Sequence, residues 1–114
     1  MDEGAIQVLA TLRRRADEDF HAPPDEREPG RHTADLAALG LRVTITRSRY
    51  PNRPDGTDMY AVTISTVAVD RPPGEVAVRR VLSACFGDAA VAAQSRPGGE
   101  RVRMFRIAAG AGGA

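Results

Sequence analysis

From Leu41 onward the chain alternates apolar and polar residues with a period of two. In LRVTITRSRY (41–50), Leu41, Val43 and Ile45 fall on one side, and Arg42, Thr44, Thr46 and Ser48 on the other. That is the pattern of a half-buried strand. MYAVTISTVAV (59–69) repeats it: Tyr60, Val62 and Ile64 share a side, and Met59, Ala61, Thr63, Ser65, Val67 and Val69 lie opposite. β-branched residues dominate both runs. The segment between them holds two prolines and an Asp-Gly pair, so the runs are expected to form an antiparallel hairpin with a long connection.

The period then changes. Val78, Val81, Leu82, Cys85 and Phe86 recur at i, i+3, i+4, i+7 and i+8, which predicts an amphipathic helix. Pro72, Pro73 and Gly74 precede it, and Gly87 follows as its stop. Beyond it, DAAVAAQS and RVRMFRIA flank a Pro-Gly-Gly turn and suggest a second hairpin, in which the alanine-rich 89–95 run reads equally as strand or helix. In the last run Arg101 and Arg103 alternate with Val102 and Met104, and Phe105 and Ile107 then break the phase; a bulge or burial on both faces is expected.

Upstream the signals are helical. Ala5, Leu9, Leu12 and Ala16 follow i, i+4, i+7 spacing over residues 1–16, with acids at the start and Arg13 to Arg15 at the end. Residues 17–32 carry six acids and three prolines and read as a linker. TADLAALG (33–40) reads as a short helix with Thr33 as N-cap and Gly40 as stop. The tail 109–114, AAGAGGA with its first alanine counted as residue 108, is expected to be disordered.

These elements predict an α+β domain over 33–108: an antiparallel sheet of three or four strands with one helix on one face, in the order β-β-α-β-β, preceded by the N-terminal helix and linker. The expected core is Leu41, Val43, Ile45, Tyr60, Val62, Ile64, Val78, Val81, Leu82, Cys85, Phe86, Val102 and Phe105.

Composition narrows the function. All sixteen basic residues are arginine, a bias that reads as GC-rich coding of bacterial or phage kind. Chemistry that needs a lysine base, a lysine Schiff base or a P-loop lysine is thereby excluded. The motifs of phosphate-binding loops, dinucleotide sites, metalloproteases and nucleophilic serine elbows are missing from the chain. One cysteine, Cys85, precludes an internal disulfide, and its place on an apolar stripe favours core packing. His21 and His32 flank acids on the proline-broken linker, which reads as solvated chain rather than a metal site. Asp55 and Asp58 read as turn residues. No cofactor is expected, no membrane span is read, and the acidic N-terminus lacks a secretory signal, so a cytoplasmic location is the default.

Charge is unevenly spread. Residues 1–40 carry five arginines against nine acids, a net −4, and residues 41–114 carry eleven against six, a net +5. Arg42, Arg47, Arg49 and Arg53 fall within twelve residues uninterrupted by an acid, with Tyr50 among them. Guanidinium forks match phosphate geometry and a tyrosine ring can stack on a base. Against this, the chain has only five aromatics and a pI near 8, whereas sheet readers of RNA expose several rings. The expectation is therefore a small non-enzymatic interaction protein acting through an exposed sheet face or edge, with a protein partner or a second copy of itself as in a homodimer. The alternative is nucleic-acid binding through Arg42, Arg47, Arg49, Tyr50 and Arg53.

Overall fold

The computed structural model describes residues 1–27, 31–49, 58–96 and 98–109. Helix α1 (Glu3–His21) is followed by strands β1 (Thr33–Leu36), β2 (Leu41–Arg49) and β3 (Asp58–Thr66). Helix α2 (Glu75–Phe86), a 3-10 turn, and strands β4 (Gln94–Arg96) and β5 (Val102–Ala108) complete the order. The chain is α+β as expected, but the sheet has five strands, ordered β1-β2-β3-β5-β4 and antiparallel throughout. Both helices cover one face of it.

The register fixes which side chains meet. Val43 opposes Ile64, Ile45 opposes Val62, Arg47 opposes Tyr60, and Arg49 opposes Asp58. Val62 opposes Phe105 and Tyr60 opposes Ile107. These residues share the helix-covered face. Thr44, Thr46 and Ser48 of β2, Thr63 and Ser65 of β3, and Met104 and Arg106 of β5 share the other. The β2–β3 pairing and the α2 stripe are as the periodicity predicts, and all five stripe residues of α2 are buried.

Several local expectations are corrected. Residues 33–36 form a strand, not a helix. Leu36 and Leu39 have spacing that also suits a strand ending at Leu36 and a 3-10 turn over Ala37–Leu39, and so short an apolar pattern cannot separate the two. Thr33 does not cap a helix; its hydroxyl lies 2.8 Å from that of Thr44 across the strands. Gly40 does end the turn, at φ 63°, a conformation that favours glycine. The last strand has neither bulge nor phase shift: Arg103, Phe105 and Ile107 alternate regularly with Val102, Met104 and Arg106. Val102 consequently leaves the expected core for the outer face, Phe105 packs partly buried at the core's edge, and Ile107 is fully buried instead. The alanine-rich run is neither strand nor helix continuation through 89–95; it makes the 3-10 turn Gly87–Ala92 and only then enters β4.

Helix α1 is longer than its apolar period suggests and belongs to the core. Asp2 caps it, accepting from the Ala5 N–H at 2.7 Å. Leu9 and Leu12 are 0% and 1% exposed. The helix continues through 17–21, part of the stretch read as linker, because Asp17 and Asp19 find cationic partners on the sheet and in the segment entering it. Such tertiary pairing overrides a weak local propensity. Pro23 and Pro24 then stop it.

Candidate binding surfaces

Arg47 and Arg49 are odd-numbered in β2 and so point toward the helices, into the C-terminal end of α1. Arg47 donates to Asp17 at 2.9 Å and to Asp58 at 3.3 Å. Its guanidinium lies 4.4 Å from the Phe20 ring centroid, and its side chain is 15% exposed. Burial opposes the Arg47 charge, but hydrogen bonds and charge from Asp17, Tyr60 and Asp58 more than offset it and raise its pKa. Arg49 is more open; it reaches Asp58 at 3.4 Å and sits 5.4 Å from the Phe20 ring. Arg42 is even-numbered and lies on the outer face, held by both carboxylate oxygens of Asp35 at 2.8 and 3.2 Å. That hydrogen bond lowers the Asp35 pKa and raises that of Arg42. Tyr50 and Arg53, the other two residues singled out, lie outside the described residues, as does Asp55.

Around Arg47 a polar and aromatic node joins α1 to the sheet. The Tyr60 hydroxyl donates to Asp17 at 2.5 Å. Arg13 donates to the Cys85 carbonyl at 2.8 Å and lies 5.3 and 5.2 Å from the Tyr60 and Phe86 ring centroids. Beside the node, Phe20, Arg27, Arg47, Ser48 and Arg49 line a shallow cavity of about 350 Å³. A second node lies nearby: Asp19, almost fully buried, is 3.2 Å from Arg31 and 2.7 Å from His32 Nε2. The sequence carries a signal for the first node that the apolar spacing alone misses. Leu9, Arg13, Asp17 and Phe20 prolong the buried face of α1 at helical intervals, with polar residues in place of apolar ones.

Cys85 is buried, its thiol 3.8 Å from the Leu9 carbonyl. Burial pushes its pKa up from 9.0 to about 12. Burial and the hydrogen bond to Asp17 raise that of Tyr60 as well. Above about pH 9 the unfolded thiol releases its proton while the folded one keeps it, so stability should fall as pH rises from 9 toward 12. Tyr60 acts with the same sign. Urea midpoints should drop between neutral pH and about pH 10, and Cys85→Ala with Tyr60→Phe should flatten that drop. An unchanged midpoint in the parent protein would contradict this account. Iodoacetamide should label Cys85 only on unfolding.

Two further surfaces are open. The outer face of the sheet presents Thr33, Thr44, Thr46, Ser48, Ala61, Thr63 and Ser65, small side chains of which most are half-buried among their neighbours. Val102 and Met104 lie beside them, Met104 at 36% exposure. On the helix side, α2, the 3-10 turn and the β4–β5 hairpin enclose a groove of about 500 Å³. Val78, Leu82 and Phe105 line it together with Ala90 and Ala93, and Glu75, Arg79 and Arg103 supply its charges. Among the described residues no helix is long and apolar enough to cross a membrane, and no cluster of three or more His, Cys, Asp or Glu side chains has the arrangement of a metal site. No protein-family model, curated protein or solved structure matches this chain.

Proposed function

We propose that the chain is a non-enzymatic interaction protein whose outer sheet face packs against a second copy of itself. The observation that carries this reading is the size and make-up of that face. At ~16 Å² per strand residue in projection, the five strands span roughly 500 Å². Two such faces offer ~1,000 Å² before side-chain relief is counted, where specific interfaces begin. Threonine, serine and Ala61 are short enough for two sheets to approach closely, and Val102 and Met104 give the contact an apolar part. Arg42 on this face is neutralised by Asp35, and the other cations of the face among the described residues, Arg106 and Arg96, lie at its β4–β5 side, away from the threonines of β2 and β3. A two-fold axis would make the contact self-complementary.

The competing reading, nucleic-acid binding through the arginine-rich hairpin, has less behind it. Arg42 points to one face and Arg47 and Arg49 to the other, and each of the three is on a carboxylate.

The test is solution mass by light scattering, at the highest concentration that stays soluble. The parent protein should run at twice its 12.2 kDa chain mass. Thr63→Arg, which sets a bulky charge in the centre of the face, should return it to a single chain with unchanged circular dichroism. A parent protein that stays at one chain mass, or a Thr63→Arg variant that stays paired, would dismiss the self-association.

A further inference from the structure

We infer that the groove between α2 and the β4–β5 hairpin docks a short acidic and apolar peptide segment of a partner protein. The inference rests on the chain's being an interaction protein, and it concerns the side of the sheet opposite the proposed self-contact.

The floor is apolar: Val78 and Leu82 from α2 and Phe105 from β5. On the rim, Val91 is 92% exposed, although it borders this apolar lining. Together with Val78, Leu82 and Phe105 it makes one contiguous apolar surface, the make-up of an interaction site, which a single exposed valine would not be. The volume of about 500 Å³ accommodates one or two bulky apolar side chains.

The charge of the ligand follows from the lining. Glu75 is matched by Arg79 one helical turn on, at 3.1 Å. Arg103 is exposed and has no hydrogen-bond or ion-pair partner among the described residues. Among the described residues the groove therefore carries Arg103 as an uncompensated cation at its mouth, and favours a carboxylate beside the apolar group.

The form of the ligand follows from the edge. Among the described residues β4 pairs with β5 alone, and all three of its residues are exposed. Ser95 of β4 lines the groove. An extended segment laid along this edge can make main-chain hydrogen bonds to β4 while alternate side chains turn into the hollow. A compact metabolite would leave the edge unused.

The test is a 15N-resolved NMR titration of the full chain with three probes: acetyl-Glu-Leu-Phe-Glu-amide, its counterpart with lysine for glutamate, and sodium octanoate. The acidic peptide should shift the amides of Val78, Leu82, Val91, Ser95, Arg103 and Phe105. It should bind about tenfold more tightly than the lysine peptide, since attraction at one exposed cation is exchanged for repulsion. Arg103→Glu should weaken the acidic peptide about fivefold and reverse the preference, and Arg103→Gln should abolish the preference without reversing it. Shifts confined to other surfaces, equal affinity for both peptides, or octanoate binding the same amides as tightly as the peptide would each overturn the proposal. The mass measurement on Thr63→Arg reads the opposite face, so the failure of either proposal is seen separately from that of the other.

Discussion

Leu9→Ala should destabilise the protein by about 3 kcal/mol, and removal of residues 1–21 should abolish its cooperative unfolding transition. Leu9 is wholly buried, and its backbone carbonyl lies against the Cys85 thiol of α2. Truncation to alanine loses the transfer free energy of the side chain and leaves a cavity that the sheet and α2 can close only in part. Deleting the helix goes further. It strips Ala5, Leu9, Leu12 and Ala16 from the core cluster and bares the apolar face of β2 beneath. A domain of this length holds on the order of 5–15 kcal/mol in total, so loss of a helix that supplies four residues to its core exceeds what it can absorb. Urea denaturation followed by circular dichroism measures both. A truncated chain that melts at the parent midpoint would mean that α1 is a detachable arm and that its packing contributes nothing.

Arg47→Ala should cost about 2 kcal/mol, with the loss appearing as stability and not as ligand affinity. The side chain is mostly buried between Asp17 and Asp58, and removing it leaves two carboxylates facing one another without their shared cation. A fully buried pair loses about 3–5 kcal/mol when one partner goes, and the partial exposure of Asp17 and Asp58 reduces this. The contact with Phe20 is lost as well. Arg47→Met keeps the aliphatic stem under Phe20, so the difference between the two variants isolates packing from charge. A cycle with Asp17→Asn should return a coupling of about 1 kcal/mol. If Arg47→Ala instead leaves the urea midpoint in place and abolishes salt-dependent binding of labelled single-stranded DNA, Arg47 is a phosphate contact and the structural assignment fails.

The strands at 41–49 and 58–66 and the helix at 75–86 were legible because each buries one face at an unbroken period. β1 was not, because four residues hold too few repeats to separate a period of two from one of 3.6. The role of Arg47 was hidden for a different reason. In the sequence it stands in a run of arginines that no acid interrupts, and it reads as one more solvated cation. Its partners Asp17 and Asp58 lie thirty and eleven residues away. Charge counted along the chain cannot register neutralisation across it. The acids of 17–21 misled in the same way: they suggest a solvated linker, yet Asp17 and Asp19 face inward over the last two turns of α1. The groove at Arg103 depends on how α2, a 3-10 turn and a hairpin converge, and no local pattern encodes that convergence.

The strand order has a consequence for how the chain acquires its shape during synthesis. β5 leaves the ribosome after the other four strands of this sheet, and it lies between β3 and β4. Until Val102–Ala108 emerges, β3 has an open edge and β4 has no neighbour at all. The nascent chain can close the β1–β2–β3 meander early, but it must hold that edge unpaired while α2 and the second hairpin are made. An intermediate with a bare strand edge pairs readily with another chain. Arg106 and Arg103 sit on the strand that seals it, so polysomes making this protein are exposed to cross-pairing for the time taken to translate residues 67–108.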